Sequence, residues 1–174
     1  MPSRIEDYAL IGDCLSSALV GRDGSIDWLC LPRFDSGACF AALLGEPGHG
    51  RWQIAPAGEM RSGRRRYRDD TLILETAFEV DDGAVTVIDF MPPRGEAPDV
   101  VRIVEGRRGM VRMLLELIIR FDYGSIVPWV RHIEHGCVRL QTVDLYLVRV
   151  DWHDGIPLTP KRPDRAVAEL SRIG

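Results

Sequence analysis

Asp27 and Asp35 flank an aromatic ring, Trp28, in the stretch Ser25-Ile26-Asp27-Trp28-Leu29-Cys30-Leu31-Pro32-Arg33-Phe34-Asp35-Ser36. Carboxylates beside an indole suit a sugar, because the acids accept bonds from hydroxyls while the ring covers the apolar face of a pyranose. Hydrolysis with inversion asks for more: two carboxylates about 6.5–9.5 Å apart, one protonated, with a water between the base and the anomeric carbon. A lone two-layer sandwich seldom encloses a glucose, and strand aspartates usually serve turns. Trp28, Arg33, Phe34 and Asp35 are therefore read as candidates for the border of a sugar pocket, with no catalytic residue assigned. In that reading Arg33 and Asp35 hydrogen-bond hydroxyls while Trp28 or Phe34 stacks on the ring. The competing reading is structural: Pro32 turns the chain, Phe34 packs in the core, and an Arg33–Asp35 contact pins the loop.

Other chemistry finds less support. His132-Ile133-Glu134-His135 offers metal-ligand types, but positions i and i+3 of a strand point to opposite faces. No Ser-His-Asp arrangement, nucleophile elbow or glycine-rich phosphate loop occurs, and His49 and His153 sit beside glycines in expected loops. Cys14, Cys30, Cys39 and Cys137 are irregularly spaced in apolar surroundings and read as reduced and inert. No metal or cofactor is expected. Lys161 is the only lysine among 22 basic residues, asparagine is absent, and the net charge is −4. That arginine bias runs through the whole chain, so Arg64-Arg65-Arg66, diluted by Asp69, Asp70, Glu75 and Glu79, is not read as a nucleic-acid surface. Met1–Asp7 has no apolar leader, and no run of 18 uncharged apolar residues exists. The expectation is a cytoplasmic chain with no membrane and no nucleic-acid partner.

The elements that must position these residues read as strands. Asp23-Gly24 separates Ser17–Val20 from Ser25–Leu31, Asp82-Gly83 separates Thr71–Val80 from Ala84–Met91, and His135-Gly136 separates Trp129–Ile133 from Cys137–Val143. Asp-Gly suits a type I′ turn, whose two central residues both need positive φ. Leu72, Leu74, Phe78 and Val80 share one strand face, opposite Glu75 and Glu79. Val111–Phe121 fits two periods. Val111, Met113, Leu115, Leu117, Ile119 and Phe121 alternate as in a strand, yet Arg112, Glu116 and Arg120 recur every four residues as on a helix. Its neighbours on both sides favour the strand. Gly37–Leu44 predicts a short helix, with Ser36 as N-cap and Gly45 as the stop. From Gly155 the chain turns polar and proline-rich, with a short helix expected near Arg165–Arg172. The prediction is an all-β, two-sheet antiparallel β-sandwich with one short helix over residues 1–154, then a linker-like tail over 155–174.

Ile5–Leu44 also carries a longer pattern. Ile5-Glu6-Asp7-Tyr8-Ala9-Leu10-Ile11-Gly12-Asp13 leads into Gly21-Arg22-Asp23-Gly24-Ser25-Ile26-Asp27-Trp28-Leu29-Cys30 and Leu31-Pro32-Arg33-Phe34-Asp35-Ser36. Arg66-Tyr67-Arg68, Thr71-Leu72-Ile73-Leu74-Glu75-Thr76, Ile88-Asp89-Phe90-Met91-Pro92-Pro93, Arg102-Ile103-Val104-Glu105-Gly106 and Phe121-Asp122-Tyr123-Gly124 follow in order. Over roughly residues 4–135 the sequence resembles the N-terminal β-sandwich domain of bacterial glycoside hydrolase family 15, the glucoamylase- and trehalase-like proteins. The resemblance implies an accessory domain that docks on an α/α-barrel catalytic domain, which holds the family's two glutamates and acts on α-glucosides. No residue here maps to those glutamates, and the likeness fades after Cys137. Two rival readings stand beside it. One is a stand-alone carbohydrate-binding sandwich using Trp52, Trp129 or Trp152; the other is a truncated product without its own activity. An exposed apolar face on the isolated sandwich would fit a missing barrel or self-association.

Overall fold

The computed structural model describes residues 3–133, 137–141, 147–150, 159–162 and 165–170, with side chains described for 3–128. Its strands are β1 (Ala9–Gly12), β2 (Ser17–Val20), β3 (Ser25–Cys30), β4 (Ala38–Phe40), β5 (Arg51–Pro56), β6 (Ser62–Tyr67), β7 (Leu74–Val80), β8 (Gly83–Phe90), β9 (Val101–Gly109), β10 (Met113–Ile118), β11 (Trp129–Ile133), β12 (Cys137–Gln141), β13 (Leu147–Val150), β14 (Thr159–Arg162) and β15 (Arg165–Leu170). One antiparallel sheet runs β1-β2-β3-β5-β10-β15-β14, with β4 added on β3. A four-stranded meander, β6-β7-β8-β9, forms the second, and β11-β12-β13 pair among themselves. The fold is the expected all-β sandwich of antiparallel sheets.

Alternation explains which side chains meet between the sheets. Leu74, Thr76 and Phe78 of β7 and Val85 and Val87 of β8 point inward, while Glu79 faces water. Phe78, Val85 and Val87 pack with Ile54 of β5 and Met113 of β10, while Leu74 joins the cluster around Ile11, Val20 and Ile26. The ambiguous segment resolves as strand β10, whose registers with β5 and β15 place Leu115 opposite Ile54 and Ala168. Two partners each demand an extended backbone, so pairing overrides the four-residue polar spacing.

An ion pair crosses the interior. Arg102 of β9 and Asp89 of β8 have fully buried side chains 2.7 Å apart. Arg102 also donates to the carbonyls of Trp52 (2.6 Å) and Gly24 (2.7 Å) on the opposite sheet. Its guanidinium lies over the Trp52 ring, 5.2 Å from the centroid. One cation thus bonds both layers. Trp52 packs in both core clusters, so it is not an outward platform.

Three local expectations need correction. The helix at Gly37–Leu44 is instead strand β4 followed by a three-residue 3-10 turn at Ala42–Leu44, closed by the Gly45 N–H on the Ala42 carbonyl. Ala38 through Ala42 are all buried, and a run buried on every side has no polar face to give a surface helix. Pairing with β3 uses it better. The second concerns the turns. In the β2–β3 hairpin only Gly24 has positive φ (+78°); its N–H bonds the Gly21 carbonyl at 3.1 Å. That is a one-glycine turn, not type I′. In β7–β8, Val80 pairs with Gly83, so Asp81 and Asp82 form the tip and neither is left-handed. The His135-Gly136 turn lies outside the described residues. The third is the helix expected near Arg165–Arg172, which is strand β15; β15 pairs with β10, and β14 with β15. The alternation Ala166, Ala168, Leu170 against Arg165, Val167, Glu169 was too weak beside three prolines to signal it.

Candidate functional site

The residues singled out above sit on β3 and the loop that follows. β3 is not a simple strand. Leu19 pairs with Trp28 and Val20 with Ile26, which leaves Asp27 as an extra, bulged residue. A bulge shifts the alternation by one. Ile26 and Leu29 therefore both enter the main core, while Trp28 and Cys30 turn to the other side and pack with Ala38 and Ala41.

Asp27 itself is only 8% exposed. The Tyr8 hydroxyl donates to its Oδ2 at 2.7 Å, and its Oδ1 is buried with no partner. Burial pushes the Asp27 carboxyl above its ordinary value; the Tyr8 bond opposes this and the Asp23 carboxylate adds to it. The Tyr8 phenol is raised as well, by burial and then by Asp27. Nearby, Arg51 of β5 clasps Glu116 of β10 through Nε and Nη2 at 2.7 and 2.5 Å.

The loop after β3 is braced at several points. Leu31–Pro32 is a cis peptide bond. Arg33 Nε donates to Asp35 Oδ1 at 2.9 Å, the Ser36 hydroxyl accepts from the Arg33 N–H, and the Ser36 N–H returns to the Arg33 carbonyl. The Phe34 N–H donates to the Leu15 carbonyl at 3.0 Å. Residues 13–16 are pinned in turn. Asp13 Oδ1 accepts from the N–H groups of Leu15 and Ser16, Arg94 Nε donates to Asp13 Oδ2 at 2.8 Å, and the Ser16 hydroxyl bonds the Cys30 carbonyl. Burial raises the Asp13 carboxyl, but the Ser16 N–H, Arg94 and the Leu15 N–H outweigh it and hold it below the ordinary range. On this scaffold Phe34 stands 58% exposed. Of the three structural roles considered for this loop, Pro32 follows a cis bond in it and the Arg33–Asp35 clip is present, but Phe34 is not buried.

The geometry thus brings Arg33, Phe34 and Asp35 together on one exposed loop, with Trp28 on the adjoining strand. Trp28 is partly covered by Tyr123, their ring centroids 6.0 Å apart and tilted by 38°. Asp27 and Asp35 sit in opposite environments, one buried and raised, the other exposed and lowered by the hydrogen bond from Arg33. Tyr8, Tyr123 and the Asp13–Arg94 brace were missed in the sequence. The signal for Tyr123 was present in Asp122-Tyr123-Gly124, a polar, aromatic and glycine triplet that marks a turn carrying a ring. At the other end of β5, a groove of ≈350 Å³ lies between Pro56–Glu59, the Asp81-Asp82 tip and Met110–Arg112. Among the described residues no cluster of three metal-ligating side chains exists. The side chains of His132, His135, Trp129 and Trp152 lie outside those described.

Comparison with known proteins gives one family. The sequence profile described as "Trehalase-like, N-terminal" matches residues 1–150. Trehalase 2 of Sulfolobus acidocaldarius is 33% identical over 120 residues, which is 69% of this chain and 19% of that protein. A trehalase of Thermoplasma volcanium is 30% identical over 142 residues, 78% of this chain and 23% of the relative. A trehalase of Mycolicibacterium smegmatis is 39% identical over 85 residues, covering 49% and 13% respectively. The chain therefore spans only about a fifth of the length of the curated proteins it matches. No solved structure matches it.

Proposed function

From the premise that the chain belongs to the trehalase-like N-terminal domain family, we propose that it is the non-catalytic front domain of an α-glucoside hydrolase of glycoside hydrolase family 15. In this reading the domain of residues 1–154, with β14 and β15 added to its larger sheet, docks on an α/α-barrel catalytic domain, supports it, and lends the Arg33–Asp35 loop and Trp28 to the border of its glucose pocket. The observation that carries the proposal is the match over residues 1–150 to a domain that makes up a small share of each trehalase. The site geometry is consistent with it. Carboxylates that work as an acid/base pair share one cavity and a water, whereas Asp35 is committed to Arg33 on an exposed loop. The described cysteines, Cys14, Cys30 and Cys39, are free thiols, which suits a reducing cytoplasm.

The test is glucose release from trehalose, maltose and maltotetraose by three samples: the chain, a separately expressed barrel, and their mixture. The expected result is no release by the chain alone and release that appears or rises in the mixture. Hydrolysis by the chain alone would overturn the proposal and return Asp27 and Asp35 to candidacy as catalytic carboxylates.

A further inference from the structure

The two broad faces of the sandwich differ in chemistry. On the four-stranded sheet several outward charges pair with one another, with Ile103 (43%) exposed among them. Arg66 and Arg68 both clamp Glu75, Ser62 donates to Glu79, and Arg107 pairs with Glu105. Such a face is satisfied in water. The outward side around β3 and its loops is different. Leu15 (48%), Phe34 (58%), Leu44 (66%) and Tyr123 (48%) are all exposed there.

These side chains are connected. Phe34 and Leu15 are joined through their backbones, the Ser16 hydroxyl ties that loop to Cys30, and Trp28 packs on Cys30, Ala38 and Ala41. Tyr123 lies on Trp28, and Gly124 is pressed so close to His49 that a Cβ there would stand 2.7 Å from the ring. His49 reaches Gly45 in the same way, next to Leu44.

The backbone that presents Tyr123 is strained. Asp122, Tyr123 and Gly124 have φ of +50°, +57° and +98°, and a bulky aromatic in the left-handed region is rare and costly. It is held by the Phe121–Ile126 bridge, bonded in both directions at 2.9 and 3.0 Å, and by the Ser125 hydroxyl on Asp122. Strain in an exposed turn adds nothing to the stability of the sandwich itself. Rigid aromatic anchors lower the ordering cost of association, and Tyr and Trp are the residues that dominate interface energetics.

We infer that this aromatic–aliphatic face, centred on Phe34 and the Trp28–Tyr123 pair, is the docking surface, and that its occupant is the catalytic portion of a longer trehalase-like polypeptide. The inference rests on the docking reading above and specifies the surface for it. That occupant is favoured because the matched trehalases carry more than three quarters of their length outside the shared segment, and because an exposed aromatic–aliphatic patch marks a protein contact.

The test measures binding of the chain to the separately expressed catalytic portion by titration calorimetry, using the wild type, Phe34→Ser, Tyr123→Asn and Ile103→Ser. Asparagine tolerates the left-handed turn, so Tyr123→Asn removes the ring while the turn keeps its shape; Ile103→Ser alters the charged face. The expected result is wild-type binding weakened about thirtyfold by each of the first two changes and less than twofold by Ile103→Ser. Equal binding by all four proteins, or selective weakening by Ile103→Ser, overturns the assignment of this face while docking stands. No wild-type binding overturns both readings. Trehalose binding by the isolated chain that is lost in Tyr123→Asn, with barrel affinity unchanged, would make the face a sugar platform and overturn the inference.

Discussion

Replacing Arg102 with methionine keeps an unbranched apolar stem and removes the charge from the middle of the sandwich. Asp89 then stays fully buried with its ion-pair partner gone, a loss of about 3–5 kcal/mol where such pairs have been broken. The Trp52 carbonyl also loses a charged donor at 2.6 Å, while the Gly24 carbonyl keeps its bond from the Ile54 N–H. Losing one such charged hydrogen bond adds about 1–3 kcal/mol. The working figure is therefore about 4–8 kcal/mol, large against the about 5–15 kcal/mol that holds most domains together. The pair Arg102→Met and Asp89→Leu removes both charges and recovers most of the ion-pair cost, leaving about 1–3 kcal/mol from the carbonyl. Urea unfolding of the wild type, both single variants and the double variant, followed by far-UV circular dichroism, yields the coupling energy. A single-variant loss under about 1 kcal/mol, or additive single losses, would refute the view that one cation ties the two sheets together.

Other expectations follow from the buried carboxylates and the turns. The folded-state pKa of Asp27 is raised, so the wild type loses stability as pH rises from the ordinary carboxyl value of about 4 through that raised value. Asp27→Asn carries no such cost, and its melting temperature should gain on the wild type between pH 4 and 7; a constant offset would refute this. Asp13 is shifted the other way, so its contribution is present at neutral pH and fades as pH falls through its lowered value. Asp13→Asn should be destabilised by about 1–3 kcal/mol at pH 7, with the gap closing in acid, as read by thermal melts across pH. Gly24→Ala would place a Cβ 2.2 Å from the Ile54 carbonyl oxygen at a φ of +78°, and should cost at least about 2 kcal/mol in urea titration.

The parts legible in sequence were those governed by local alternation. β7 and β8 announced themselves through Leu74, Phe78, Val85 and Val87, and β10 was recovered by weighing Met113, Leu115 and Leu117 against their neighbours. The Arg102–Asp89 pair had a readable trace that went unused. Asp89 continues the inward series Val85, Val87, and a charge on a core-facing position demands a buried partner. The helix error at Gly37–Leu44 has a different origin, because capping signals at Ser36 and Gly45 are local whereas the pairing of β4 with β3 is a tertiary event. For the site, the Arg33–Asp35 clip followed from spacing. The exposure of Phe34 did not, since it depends on residues 13–16 and on Arg94, far away in the chain. Tyr123 joined Trp28 across more than ninety residues, a contact no window of sequence contains.

The extra residue at Asp27 gives β3 two frames of inside and outside, one ending at Ile26 and the other beginning at Trp28. Removing it would not merely shorten the strand. It would leave Ile26, Trp28 and Leu29 opposite Val20, Leu19 and Ala18 in ordinary alternation, so the indole and Leu29 would keep their faces while the buried carboxylate and its bond from Tyr8 disappear. The bulge is thus a place where β3 can lose one residue without changing which face its other side chains present.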